Sequence, residues 1–370
     1  MPASGPARQV VLRTERLSKR FGKITAVQDL SLEVHRGDVF GLLGPNGSGK
    51  TTTLRMLLGL IWPSEGEIFL FGEPMTDDLQ RRLALQRIGA IVEQPAFYPY
   101  LSGRENLRGV AVFAGLANSV ETRARIEEVL GQVGLGPRAG DAYKKYSLGM
   151  KQRLGIAAAL LTKPELVILD EPTNGLDPAG MVEVRALIGE LARRGITVLL
   201  SSHLLHEVQQ VCTRVAILKQ GALLAQGEVA ALMAGQGGTQ LAFDDPDLLP
   251  RAITVLQAAR YGAAPWIRGT RYIQPEPGVW IPPGGWLLLV DAPPDRAAAI
   301  NGLLAAQGIY ATEVRRREAS LEHYFLALTG ELPAPTSAPG TPPFQPYQPV
   351  FAAPGTFESA PPFISQREQE

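Results

Sequence analysis

The sequence predicts an α/β fold with a mostly parallel sheet, and three observations carry that expectation. Short, fully apolar runs such as Val39–Leu43 and Leu166–Leu169 recur between residues 10 and about 230, as strands covered on both faces require. Longer helical patterns separate these runs, the alternation of α/β architecture. A glycine-rich loop, Gly44-Pro45-Asn46-Gly47-Ser48-Gly49-Lys50-Thr51-Thr52, joins one apolar run to a pattern with Leu54, Leu57, Leu58 and Ile61 at helical spacing.

Taken in order, Val10–Leu12 and Leu30–Val34 read as strands, followed by Val39–Leu43 before the loop. Glu67–Phe71 reads as a strand ahead of a Gly72 turn. Ile88–Val92, Leu166–Leu169, Thr197–Leu200 and Arg214–Leu218 complete the set. Between Pro95 and about Leu161 strand signals stop, and helical patterns at Arg104–Ala114 and Val120–Val133 predict a helical insertion, about 95–161. The expected organisation is a flexible 1–9, a nucleotide-binding domain over 10–235, a small α+β unit over 240–329 and a disordered tail over 331–370. In the small unit, Trp286–Val290 and Tyr310–Val314 read as strands, and Arg296–Ala306 and Leu321–Leu328 as helices, a βαβα element. The tail carries ten prolines between Pro333 and Pro362. Proline removes backbone donors and fixes φ, so an extended or disordered segment is expected there.

The loop fits G-x-x-x-x-G-K-[ST] in a strand–loop–helix setting, which identifies a P-loop nucleoside-triphosphatase core. Small residues let the backbone curl so that successive N–H groups converge on an anion. The helix that follows adds the positive end of its dipole. Gly44, Pro45, Asn46, Gly47, Ser48, Gly49, Lys50, Thr51 and Thr52 are thus candidate nucleotide ligands. Lys50 would reach the β- and γ-phosphates, and the Thr51 hydroxyl would ligate Mg²⁺. Downstream, the run Leu166–Leu169 ends in Asp170-Glu171-Pro172. Carboxylates at that strand end can enter the same crevice. Asp170 would hold Mg²⁺ through water, and Glu171 would polarise the attacking water.

Bulk composition narrows the classes. Lys+Arg and Asp+Glu are both 36, so no broad basic surface favours nucleic acid. No apolar run approaches the roughly 20 residues of a membrane span, and Met1–Gln9 lacks a signal-type apolar segment. The single cysteine, Cys212, excludes an intrachain disulfide and is expected to be a small buried hydrophobe. These features describe a protein on the cytoplasmic side whose membrane span, if it uses one, lies on another chain.

Tyr146-Ser147-Leu148-Gly149-Met150-Lys151-Gln152-Arg153 makes the reading specific. With the loop and the strand-end acids it resembles the signature of the ATP-binding cassette superfamily over residues 10 to 230. Ser147 and Gly149 are kept; Tyr146, Leu148 and Met150 depart from L-S-G-G-Q, as in bacterial exporter ATPases. Other matches come in order. Phe21 resembles the aromatic that stacks on adenine, where Tyr is more usual. Gln94 resembles the loop glutamine that contacts Mg²⁺ and water and faces the transmembrane partner. Asp177, in Gly175-Leu176-Asp177-Pro178, resembles the loop crossing the dimer interface, and His203 the switch histidine on the γ-phosphate. His35, His206 and His323 match nothing.

The resemblance implies an ATPase with ATP and Mg²⁺ as cofactors, and catalytic roles for Glu171, His203 and Gln94. Ser147 and Gly149, at the N-terminus of a helix from about Met150, would point at the γ-phosphate bound by a second ATPase subunit. It also implies a separate permease chain and a place at the cytoplasmic face of the membrane. The ending Ser320-Leu321-Glu322-His323-Tyr324-Phe325 through Leu328-Thr329-Gly330 resembles that of drug, antibiotic and polysaccharide export ATPases, while the β-rich terminal domain of many importer ATPases is not read here. The alternative, a soluble cassette protein on ribosomes or DNA, fits less well: there is one phosphate loop, no sustained heptad pattern and no net charge.

Overall fold

In the computed structural model the chain begins β1 (Val10–Phe21), β2 (Ile24–His35), β3 (Val39–Leu43) and α1 (Lys50–Leu57). Next come β4 (Glu65–Leu70), β5 (Glu73–Pro74), α2 (Asp78–Leu85) and β6 (Ile88–Ile91). Three helices follow: α3 (Gly103–Phe113), α4 (Val120–Gln132) and α5 (Leu148–Leu160). Then the chain forms β7 (Leu166–Leu169), α6 (Pro178–Arg193), β8 (Thr197–Ser202), α7 (Leu205–Val211), β9 (Arg214–Lys219), β10 (Ala222–Glu228) and α8 (Val229–Met233). It continues with β11 (Gly238–Phe243), α9 (Leu248–Arg260), β12 (Gly269–Ile273), β13 (Trp286–Asp291), α10 (Ala297–Ala305) and β14 (Glu313–Arg317). The residues described are 9–93, 96–233, 237–245, 247–260, 262–264, 267, 269–273, 286–317, 319–322 and 324–325. All of them belong to one contact unit, 1–275 with 280–332. Residues 1–8 of the expected flexible 1–9 and the Pro-rich tail lie outside the described residues.

The apolar runs form a six-stranded sheet in the order β10-β9-β3-β8-β7-β6, parallel except for the β9–β10 hairpin. Successive residues of β3 face opposite sides. Phe40 and Leu42 enter one apolar cluster and Val39 and Leu43 another, which is why the strand reads as apolar throughout. Burial of each such side chain contributes about 1.5–3 kcal/mol. Cys212 is buried as expected, and burial pushes its thiol pKa far up, so it stays uncharged.

Three of the expected strands belong elsewhere. β1, β2 and β4, with the short β5, make a separate antiparallel sheet in the order β2-β1-β4-β5. Their alternation of buried and exposed residues fits a sheet with one face in water. β1 runs nine residues beyond the apolar start that reveals it, because pairing on both sides holds polar residues in register.

The helical insertion starts where strand signals stop. Ser102 and Glu105 form a capping box on α3, with Ser102 N–H donating to Glu105 Oε2 at 2.8 Å. The Asn106 amide ties the preceding turn together through Tyr98 and Leu101. The signature helix α5 begins at Leu148, two residues earlier than expected, because Ser147 is its N-cap and accepts the Met150 N–H at 3.2 Å.

The small unit is βαββαβ with spatial order β12-β13-β11-β14, all antiparallel, a ferredoxin-like arrangement. The expected strand, helix and strand are present as β13, α10 and β14, but β11, α9 and β12, which the sequence reading lacked, precede them; the expected helix over Leu321–Leu328 lies partly outside the described residues. β11 carries Gly, Thr and Gln among its apolar residues, and pairing on both sides hides them. β14 begins at Glu313, three residues past the expected start, since Tyr310 is exposed and Ile309 is the residue that turns inward. As an edge strand it accommodates Arg315, Arg316 and Arg317, charges that discourage edge-to-edge pairing.

Candidate active site

Because β3, β7 and β8 are parallel neighbours, their C-terminal ends share one edge of the sheet, and each carries a predicted functional segment. At the end of β3 the chain turns through Gly44, Gly47 and Gly49, with φ of 153°, 80° and 101°. A Cβ at Gly49 would lie 2.5 Å from the Ala26 carbonyl, so only glycine fits. Gly49 is the N-cap of α1 and no side chain caps the helix, which leaves its first N–H groups without a side-chain partner. Pro45, Asn46 and Gly47 are exposed, while Ser48 is buried and its hydroxyl has no partner. Thr51 and Thr52 are half-buried in the first turn of α1. A curl of left-handed glycines, free helix N–H groups and an unsatisfied hydroxyl fits a phosphate chain.

Lys50 is buried and spans the loop, donating to Gly44 O at 2.8 Å and Pro45 O at 3.3 Å. Its Nζ also lies 3.2 Å from Glu171 Oε1. The other oxygen of that carboxylate, Oε2, is 2.7 Å from His203 Nδ1. Glu171 therefore bridges the two side chains expected to meet the γ-phosphate. It does so from φ 48°, an uncommon conformation for a residue with a side chain. Asp170, at the end of β7, is buried beside it.

One residue escaped the sequence reading. The Ser201 hydroxyl donates to Asp170 Oδ1 and accepts the Glu171 N–H at 2.9 Å. A single buried side chain thus sets both acids. The readable signal is the pair Ser201-Ser202 closing an otherwise apolar strand, since buried hydroxyls require partners.

The signature elements form a second group. Ser147 caps α5, and Asp177 caps α6 by accepting the Gly180 N–H at 3.1 Å. The two helix starts touch: Gly149 packs on Gly180, and Leu148 packs on Gly175. The Tyr146 hydroxyl donates to Arg138 O at 2.9 Å, anchoring the residue before the cap. No side-chain hydrogen bond or ion pair among the described residues joins Ser147, Gly149 or Asp177 to Lys50, Glu171 or His203. Phe21 stands at the end of β1 on the antiparallel sheet, half-exposed, with Lys19 Nζ 5.1 Å from its ring centre. Gln94 lies outside the described residues; its neighbour Glu93 pairs with Arg55.

The family model described as ABC transporter matches residues 27–174. An uncharacterized ABC transporter ATP-binding protein of Bacillus subtilis, YhcH, is 39% identical over 324 residues, 87% of this chain and 97% of the relative. This chain belongs to the ABC transporter family. As a member it is an ATP-binding, ATP-hydrolysing cassette. The bacitracin transport ATP-binding protein BcrA of Bacillus licheniformis is 49% identical over 217 residues, 58% of this chain and 69% of that one. Among solved structures, a dimeric post-hydrolysis state of the cassette MJ0796, bound to ADP and phosphate, matches with TM-score 0.53 and 27% identity. It covers 59% of this chain and 98% of that one.

In this ABC cassette Ser201 can be tested directly. Ser201→Ala leaves a buried carboxylate oxygen and a backbone N–H unpaired, which costs about 1–3 kcal/mol. The variant is expected to melt at lower temperature and to lose roughly tenfold in ATPase kcat as the two acids lose alignment. Steady-state turnover and a thermal melt check this; wild-type values of both would mean that Ser201 does not set the acids.

Proposed function

We propose that this chain is the ATP-hydrolysing subunit of an ABC exporter, working on a separate membrane permease. The observation that carries the reading is the Lys50–Glu171–His203 array at the ends of three parallel strands. Relatives named for bacitracin transport support a transport role, and export as its direction rests on the resemblance of the Ser320-Leu321-Glu322 ending. No helix among the described residues is long and apolar enough to cross a membrane, so the span is assigned to the permease.

In this reading the loop from Gly44 to Thr52 holds the phosphates, and Phe21 offers its exposed face to adenine. Glu171 accepts the proton of the attacking water, His203 steadies the γ-phosphate, and Lys50 offsets its charge. The Thr51 hydroxyl and the Asp170 carboxylate, hard oxygen donors, would hold Mg²⁺ together with phosphate oxygens and water, and Gln94 is assigned to the same shell. When bound, Mg²⁺ supplies charge neutralisation of the phosphate chain.

Two copies are proposed to enclose two ATP molecules. The start of α5, with Ser147 and Gly149, brings free N–H groups and partial positive charge to the γ-phosphate held by the other copy. The touching starts of α5 and α6 would move the signature and Asp177 as one piece. ATP then favours the closed pair because it binds that state better, and hydrolysis reopens it.

Affinity capture of the full chain from gently solubilised native membranes, read by mass spectrometry, tests the transport reading. A stoichiometric polytopic membrane protein is expected, and its identity would indicate the cargo. Recovery with ribosomal or DNA-associated proteins alone would overturn transport and leave the ATPase chemistry standing.

A further inference from the structure

The helix after the switch histidine is held by parts of the chain far from it in sequence. α7 begins two residues beyond His203, and the Leu204 N–H donates to Ser202 Oγ at 3.0 Å, so the turn between them is tied down. On its inner side Val208 is buried against β3. From α6, the helix that Asp177 caps, Arg185 pairs with Glu207 at 3.1 Å and also bonds Gln210. A cavity of about 10 Å³ lies between α7 and the Pro172-Thr173 turn that follows Glu171, and Glu207 Oε2, which lines it, is buried without a partner.

The outer side is closed by the C-terminal segment. The Gln209 side-chain amide reads its backbone in both directions. Oε1 accepts the Leu321 N–H at 3.0 Å, and Nε2 donates to Ala319 O at 3.4 Å. These bonds span 112 and 110 positions of the chain. Leu321 itself is fully buried in the apolar cluster that includes β3, β7 and β8 residues, with Tyr324 and Phe325 packed against it. Ala319 follows β14, the edge strand of the ferredoxin-like sheet, by two positions. Two positions of chain thus separate the end of that strand from the segment held on α7.

We propose that Gln209 is a positioning residue for ATP hydrolysis: by clamping Ala319–Leu321 onto α7 it sets His203, and through this contact the small C-terminal unit governs the rate of turnover. The inference rests on the role given to His203 under the proposed function. It assigns the Ser320-Leu321-Glu322 ending a use beyond packing, because the amide of Gln209 meets the segment backbone and leaves its apolar side chains to the core.

The test uses the full chain with three substitutions, Gln209→Ala, Gln209→Glu and His203→Ala, each measured for kcat, KM for ATP and melting temperature. Gln209→Ala is expected to lower kcat roughly three- to tenfold while KM stays within about twofold, because the loop and Phe21 are untouched. Gln209→Glu keeps the acceptor for the Leu321 N–H and is expected to recover most of that kcat. The melting temperature of Gln209→Ala shows whether its kcat is read on folded protein. A wild-type kcat in both Gln209 variants, with turnover lost in His203→Ala, overturns the clamp alone. Full turnover in His203→Ala overturns the role of His203 and the clamp with it. A lowered melting temperature with unchanged kcat makes the contact structural and also overturns the proposal.

Discussion

Glu171→Gln is expected to stop turnover while ATP stays bound. The carboxylate sits with one oxygen 3.2 Å from Lys50 Nζ and the other 2.7 Å from His203 Nδ1, and its backbone is fixed by Ser201. Glutamine has the same shape and can keep the backbone bond, so the strained turn at φ 48° should persist. What it loses is the ability to take a proton from water. General-base removal costs roughly 10²–10⁴-fold in rate. The phosphate loop is not altered, so ATP affinity should hold, and an ATP-bound pair of chains should accumulate because reopening depends on hydrolysis. Phosphate release assays and size-exclusion chromatography with ATP and Mg²⁺ check both halves. Turnover near wild type would remove Glu171 from the role of base. Lost turnover without ATP-dependent pairing would leave the base in place and count against the two-copy arrangement.

Gly49→Ala should abolish nucleotide binding, for a reason specific to this packing. Gly49 has φ 101° and is the N-cap of α1. An added methyl would sit 2.5 Å from the Ala26 carbonyl, which is backbone of β2 and cannot rotate away. The loop must then move off the sheet, or α1 must tilt, and either change spreads the N–H groups that converge on phosphate. A loss of at least about 100-fold in ATP affinity, roughly 2.7 kcal/mol, is expected. Left-handed backbone strain of about 1–2 kcal/mol adds a drop in stability. Titration with a fluorescent ATP analogue and a thermal melt read the two effects. Near-normal affinity would show that the loop tolerates displacement and that its shape matters less than Lys50.

How much of this was legible in the sequence depended on how local the signal was. β3 and β7 were readable because strands buried on both faces are apolar at every position, and β9 through its apolar centre Val215–Leu218. β11 was not, since Thr239 and Gln240 are polar and are hidden only by neighbours on both sides. The start of α5 was placed late because Leu148, here the first helical residue, carries no start signal of its own; the cap lies in the Ser147 side chain. Phe21 was recognised as a candidate, but its place on a separate antiparallel sheet was not, because apolar spacing does not say which sheet a strand joins.

By itself the sequence determined the chemistry: a phosphate loop on a helix N-terminus, an acid pair closing an apolar strand, a histidine closing another, and a serine ahead of a helix. Each is a short run in which residue type and spacing carry the physical requirement. Only the tertiary structure decided which of these groups meet. Lys50, Glu171 and His203 touch because β3, β7 and β8 are parallel neighbours. Ser201 reaches both acids, and Gln209 reaches Leu321, across 30 to 112 positions of chain. Such contacts depend on sheet order and on how distant segments close over a helix, which no local pattern encodes.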